Sequence, residues 1–480
     1  MPLDLNVRAD ITLDTYRRVA WDRETVALGT VAMARMTNAR TAFMHLIDSD
    51  PNLTIYGVTS GYGQHANKRL TGEARRQHAQ RPPRSAAVAF GQPAPERVAR
   101  GIILARLANF IEGHAAVTPA LAEAVAALLS GGPLPKVSIA GQGGAGEILW
   151  MAPLIIDLAE AFPLGEKDAL SLINGSPAAS ALIADGAIAM RRRLDLAERI
   201  FALSAEAIRA PLEAYDAAFE DLWGDPYEAA SLQRLRHLLQ GGAVERRPYQ
   251  APVSYRILPR VLGQMRRAVA QAEEIAQSSL ISVTDNPVFL MPDAQHPAGR
   301  VYSNGSYHNA RAYPALDNLA AASADLCILA ERHCTKLLDG RYSLLPDQLQ
   351  AADDAYIGIV GFVQVGYAEQ ARRAAQRTFL PGSEAGGFGQ NDVAPLTGLA
   401  WRAQEEVGHC LEAALAMLGA VASQALHMTA RAAPPALQPT LETIRAAFPP
   451  MTASRVFGPD LQTLSNCFRA EIYGIEEATR

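Results

Sequence analysis

The chain has 480 residues, 49% of them hydrophobic, enough to bury a large core and to hold two closely packed regions. Its 44 basic and 49 acidic residues are well mixed and leave a net charge of −5, which offers no footprint for nucleic acid or a membrane surface. The four cysteines form no CxxC pair, a usage that fits a reducing cytoplasm and predicts no metal site.

In chain order, the N-terminus MPLDLNVRADITL lacks a basic end followed by an apolar run, so no signal peptide is expected. The first third alternates short apolar segments with turns rich in Gly, Pro and Ser. Two loops stand out: YGVTSGYGQ (Tyr56 to Gln64) and SIAGQGGAGE (Ser138 to Glu147). The second carries Gly141, Gly143, Gly144 and Gly146 but lacks the Lys-Ser/Thr of a P-loop. Its glycines do not stand as GxGxxG before a matching acidic residue either. They predict close backbone approach or unusual backbone angles instead. Apolar runs such as Ile148 to Ile156 are too short to span a membrane.

From about Leu170 onward the pattern is long and helical. Leu316, Leu319, Ser323, Cys327, Ala330, Cys334 and Leu337 follow three- and four-residue spacing, and Val407, Leu411, Ala414, Leu418 and Val421 repeat it. Cys327 and Cys334 therefore read as small core residues. Arg191, Arg192 and Arg193 read as a solvated helix face. Abundant alanine favours close interhelical packing, and long bundles of this kind often oligomerise.

Polar loops separate the helices: QAPVSYRILP (Gln250 to Pro259), SVTDNP (Ser282 to Pro287), SNGSYHNA (Ser303 to Ala310) and GFGQNDV (Gly387 to Val393). Singly, each reads as a turn or helix cap, and Asp285-Asn286-Pro287 is a turn signal by itself. Together they supply Asn, Asp, Arg, His and Tyr at helix ends, the way bundle sites are assembled.

In their order, these segments resemble the histidine, phenylalanine and tyrosine ammonia-lyase family. YGVTSGYG is similar to YGVTTGFG, RLANFIEGHAAVTP to LRANSLAKGHSGVRP, KDALSLINGS to KEGLALINGT, and QAPVSYRILPRVLG to QDPYSLRCAPQVLG. SVTDNP is similar to SATDNP, SNGSYHNARAYPALD to SGGNFHGEPVALALD, and LAERHCTKLLD to ISERRxxRLLD. The resemblance implies a mainly α fold: an ammonia-lyase-like (fumarase/aspartase-type) long helical bundle with a smaller, loop-rich N-terminal region. It divides the chain into a cofactor-bearing domain at 1–190 and a bundle and tetramerisation domain at 191–480. The resemblance further implies a homotetramer acting on a small molecule, with each site built from loops of three subunits.

The family's electrophile, methylidene-imidazolone (MIO), forms from an internal Ala-Ser-Gly within GSVGASGDLAPL, where ring closure and loss of the serine hydroxyl leave an exocyclic methylidene. Aligning AGQGGAGEIL places Gly144, Ala145 and Gly146 on that tripeptide. Ala145 has no β-hydroxyl to eliminate, so the expectation is that MIO is absent and no cofactor is held. Other family positions also depart. The tyrosine of QDPYSLR falls on Val253, the selectivity histidine of RSHAVGVG on Ala86, and the asparagine of ELNSATDNP on Ile281. The asparagine of SGGNFHG falls on Ser306, and the NQED segment maps ambiguously onto Gly389, Gln390, Asn391 and Asp392. A roomier, more apolar pocket follows from Ala86, Val253 and Ile281.

What remains carries the resemblance to function. Tyr56 matches the general base, or else packs in a glycine-rich turn; a phenol in that role needs activation near neutrality. Arg256 matches the substrate-carboxylate clamp, or else is a buried ion-pair residue. Asn174 matches the asparagine beside the cofactor, or else caps a helix before Gly175. Gln250, Tyr307, His308 and Gln390 complete the implied substrate-binding set, His308 having a loop or core role as its alternative. Three functions stay open: an MIO-independent enzyme performing elimination, isomerisation, conjugate addition or cyclisation on a carboxylate-bearing substrate; a non-catalytic binding or assembly homologue; and an aromatic amino acid ammonia-lyase.

Overall fold

The computed structural model describes residues 2–382 and 389–474. Among these, strand is confined to two short ladders, Leu3–Leu5 parallel to Val26–Leu28 and Val288–Leu290 antiparallel to Arg300–Tyr302, and the rest is helix and loop.

The chain forms two compact units. One comprises Met1–Ala187, Ala272–Leu316 and Arg377–Arg402, the other Ile188–Gln271, Asp317–Gln376 and Ala403–Arg480. The expected single division at residue 190 differs from this. Four long helices, Pro177–Ala207, Leu258–Leu280, Ala312–Leu338 and Thr397–Met428, each place residues in both units.

The first unit is organised on the helix Glu96–Ile111, buried from Arg97 to Ile111. A helix buried on every side must neutralise its own charges. Arg97 Nε accordingly donates to Asp185 at 2.8 Å, and Arg100 Nε to the Val19 carbonyl at 2.8 Å. A second cluster packs Phe43, Ile55, Val58, Leu170 and Phe289, with Phe43 and Phe289 edge to face at 5.5 Å. It supports the loop that carries Tyr56.

In the second unit the predicted periodicity is seen as burial. The residues from Leu319 to Leu337 named above lie inside Ala312–Leu338, and those from Val407 to Val421 inside Thr397–Met428, all buried. Ser323 is tolerated because its hydroxyl donates back to the Leu319 carbonyl at 2.8 Å. Thr397–Met428 is long and apolar enough to cross a membrane, a length the apolar runs in the sequence did not suggest. Its most apolar window is 94% buried, as a core helix is.

The arginine run is corrected. Arg193 is fully buried and paired with Glu405 at 3.1 Å and Glu412 at 2.8 Å, and it donates to the Tyr473 hydroxyl. Arg192 Nη1 donates to the Ile472 carbonyl at 2.6 Å. The carboxylates that draw Arg193 inward lie some two hundred residues along the chain, beyond any local pattern.

Candidate active site

Tyr56 stands on a turn that leaves little freedom. The N–H groups of Val58, Thr59 and Ser60 all donate to the Ile55 carbonyl, at 3.1, 3.0 and 3.1 Å. Thr59 Oγ1 donates to the Leu53 carbonyl and accepts the Ile55 N–H, both at 2.7 Å. At Gly57, φ is +68° and a Cβ would lie 2.5 Å from the Tyr62 ring, so only glycine fits. The Tyr56 side chain is 38% exposed, and its oxygen accepts the Gly63 N–H at 3.0 Å.

Tyr62 meets Tyr56 edge-on at 6.2 Å between ring centroids and stacks, tilted, on His78 at 4.6 Å. Burial pushes the Tyr62 phenol well above its ordinary value and lowers His78, so both stay neutral near pH 7.

The glycine-rich loop is fixed at both ends. Ser138 Oγ donates to the Phe90 carbonyl at 2.6 Å and accepts the Ala140 N–H at 3.3 Å. At the other end Glu147 is buried and accepts the N–H groups of Ala178 at 2.6 Å and Ala179 at 2.9 Å, in the first turn of Pro177–Ala207. A carboxylate is well placed at a helix N-terminus. Burial nevertheless pushes Glu147 up to about 8 against the pull of those two N–H groups. Between the anchors, Gly144 and Gly146 take φ of +83° and +67°, as the clustered glycines predicted. A Cβ on Gly146 would meet the Tyr307 ring at 3.6 Å, so that ring lies against the tripeptide.

Asn174 closes the helix Asp168–Ile173, its N–H donating to Leu170 at 3.0 Å, and Gly175 follows at φ +105°. It is thus a helix cap, but one whose Nδ2 also donates to the Asn286 carbonyl. Asn304 ties the same strand of loop, its N–H donating to Asn286 Oδ1 at 2.8 Å and its Nδ2 to the Asp285 carbonyl at 3.1 Å. Segments 174–176, 284–286 and 304–307 are thereby knitted together beside the tripeptide. His308, half-buried and lowered by burial, ends that run.

Below this layer lies a charged group that sequence reasoning missed. Lys167 Nζ donates to Asp285 Oδ2, to the Ala115 carbonyl at 2.8 Å and to Ser171 Oγ at 2.9 Å, all fully buried side chains or backbone. Arg106, also fully buried, places Nη1 3.9 Å from Asp285 Oδ1. Asp285 is more than the turn residue its neighbours suggested, and Glu147 caps a helix thirty residues away. Neither has a local signal.

Other expected positions stand apart. Ala86 is half-buried in the turn Arg84–Ala86, and Ile281 is half-buried with its carbonyl accepting Arg8 Nη1 at 3.2 Å. Gln390 is exposed; Gly387 and Phe388 of its loop lie outside the described residues. Gln250, Val253 and Arg256 belong to the second unit. There Gln250 is exposed, with Nε2 on the Tyr249 hydroxyl at 3.0 Å, and Val253 is 58% exposed. Arg256 is also exposed in the single chain, its Nε donating to the Ala251 carbonyl at 3.0 Å.

Comparison with known proteins agrees with this architecture. The model of the family described as aromatic amino acid lyase matches residues 11–159 and 156–448. A histidine ammonia-lyase of Geobacillus thermodenitrificans is 32% identical over 365 residues, covering 69% of this chain and 70% of that protein. Among solved structures, ergothionase, the ergothioneine-degrading enzyme of Treponema denticola, superposes with a TM-score of 0.86 at 18% identity, over 98% of this chain and 99% of that one. Tyrosine aminomutase from Streptomyces globisporus superposes with a TM-score of 0.84 at 23% identity, over 100% of this chain and 98% of that one. The class is a mainly helical, lyase-type fold. The chain belongs to the aromatic amino acid lyase family and is a lyase-like enzyme.

Proposed function

We propose that this enzyme works without the methylidene-imidazolone electrophile and uses Tyr56 as its general base on a small carboxylate-bearing substrate. The electrophile does not fit the residues present. Gly144 and Gly146 permit ring closure, but the Ala145 methyl has no hydroxyl to lose. The Ser138 hydroxyl, upstream, is held by Phe90 and Ala140.

The placement of Tyr56 carries the reading. Its oxygen is accessible and faces a backbone N–H, a donor that supports negative charge on that oxygen. In an elimination, the oxygen takes a proton from the carbon next to the one bearing the leaving group. The C–H electron pair becomes the new C=C bond, and the leaving group departs with the pair of its own bond. An ordinary amine leaves poorly in this way. A substrate whose leaving group departs unaided, or an already conjugated acid undergoing isomerisation, addition or cyclisation, meets the requirement. Arg256 is assigned to the substrate carboxylate. Asn174, Tyr307 and His308 are assigned to the walls of the site, with Gln250 and Gln390 completing the binding set.

Two observations support this assignment. The fold is shared with an enzyme named for degrading ergothioneine. The segment bearing Arg256 also exposes Tyr249, Val253 and Ile257, at 73, 58 and 40%, an apolar strip suited to cover in an assembly of copies. The relatives named histidine ammonia-lyase favour deamination, but that reading needs an electrophile Ala145 cannot supply.

Peptide mass spectrometry over Ser138 to Leu149, together with a turnover screen of conjugated acids and β-substituted amino acids, tests the proposal. An unmodified peptide, or one lacking a single water, is expected, with turnover lost in Tyr56→Phe. Loss of two waters, or ammonia release from phenylalanine, tyrosine or histidine at a family-like rate, would overturn it.

A further inference from the structure

The turn Val253–Arg256 rests on a fully buried histidine. His333 Nε2 lies 3.2 Å from the Ser254 carbonyl and Nδ1 3.1 Å from Ser204 Oγ. A carbonyl only accepts, so Nε2 carries the proton and Nδ1 takes the serine hydroxyl's hydrogen. The imidazole stacks on Tyr255 at 3.7 Å between centroids, with 21° between planes, and meets Phe201 edge-on at 5.0 Å. Tyr255 donates through its hydroxyl to the His333 carbonyl at 3.3 Å, and the Tyr215 hydroxyl donates to the Tyr255 carbonyl at 2.9 Å. Ser254 and Tyr255 are the two residues immediately before Arg256. Burial pushes His333 down to about 3, so the ring is uncharged at neutrality.

We infer that His333 is a positioning residue for Arg256: its Nε2–H and ring face fix the turn from which the guanidinium projects. The inference rests on the assignment of Arg256 to the substrate carboxylate. Its logic is preorganisation. An exposed arginine on a loose turn spends part of its binding energy on ordering that turn, whereas a turn held by one hydrogen bond and one stacked ring has already been ordered. Both holds come from a single side chain with no charge of its own.

The test uses the full-length protein with two probes, (E)-cinnamate and its neutral amide, in calorimetric titrations, alongside hydrogen exchange at residues 250–259. In His333→Leu, amides 253–257 exchange faster and cinnamate binds about tenfold more weakly, while the amide probe is unaffected. His333→Gln, which keeps an N–H donor, restores both readouts. Arg256→Gln weakens cinnamate similarly, and His333→Leu adds nothing further in that background. Exchange left unchanged at 253–257, or raised evenly along the chain, overturns the inference. So does equal weakening of both probes. If the unaltered protein takes up no cinnamate, or Arg256→Gln leaves its binding intact, the carboxylate assignment falls and takes the inference with it. The exchange data separate that outcome from a failure of His333 to hold the turn.

Discussion

The backbone N–H of Gly63 points at the phenolic oxygen of Tyr56, 3.0 Å away. The two residues are seven apart on one loop, and the intervening chain is pinned by Gly61 N–H on the Lys68 carbonyl at 3.1 Å and Leu70 N–H on the Thr59 carbonyl at 2.8 Å. The donor therefore cannot drift from the oxygen it serves. Tyr56→Phe removes the oxygen and keeps the ring. Turnover of any substrate found should fall by about 10²–10⁴-fold. Stability should fall by only about 0.5–1.5 kcal/mol, the worth of one hydrogen bond. Steady-state kinetics and a urea melt read the two separately, and retained turnover would remove Tyr56 from the chemistry.

Legibility in the sequence followed the distance between partners. The stripe through Leu319, Cys327 and Leu337 was readable because helical periodicity is local and burial imposes it turn by turn. Family membership was readable because the loops of Tyr56 and Arg256 carry the family's motifs. Arg193 was misread because Glu405 and Glu412 come from a distant helix, and a charge in a helical pattern looks solvated until its partners are known. Lys167 with Asp285, and Glu147 with the start of Pro177–Ala207, failed to show for the same reason. Buried charge is a property of packing, and it leaves no period in the chain.

Glu147 makes the stability of this fold depend on pH. Its folded value, about 8, lies above the ordinary 4.5 because burial outweighs the two N–H donors. A raised value means the contribution is fully present below about 4.5 and is lost as pH climbs through about 8. Thermal melts of the wild type should weaken between pH 5 and pH 8 relative to Glu147→Gln, which mimics the neutral acid. Parallel melting curves at both pH values would show that Glu147 is ionised throughout.

Gly408→Ala should destabilise, against the usual trend. Alanine in place of a helix-interior glycine ordinarily gains up to about 1 kcal/mol. In Thr397–Met428, however, the new Cβ would lie 2.2 Å from Arg193 Cζ. That guanidinium cannot swing aside, because Glu405 and Glu412 hold it on two sides. Overpacking of this kind costs about 1–3 kcal/mol. A urea denaturation series decides the sign, and a more stable variant would mean the arginine is freer than its ion pairs imply.

Lys167→Met should be the most damaging of these changes, because of what it leaves behind. The substitution keeps an unbranched side chain but strips Asp285 of its one close cation, leaving Arg106 at 3.9 Å as the remaining charge nearby. Breaking a buried pair from one side costs about 3–5 kcal/mol when nothing replaces the lost partner, and Arg106 offsets part of that here. Asp285→Asn alone should be costly too, because it strands Lys167 beside Arg106, two cations with no anion between them. The double variant should therefore lose less than the sum of the two singles, a coupling that a double-mutant cycle measures directly. The consequence reaches the site as well. The Asp285 carbonyl holds Asn304, and Asn304 holds the 304–307 segment that lays Tyr307 against Gly146. Additive single losses, with unaltered ligand binding in whatever variant still folds, would mean that this charged layer supports the core without positioning the loops above it.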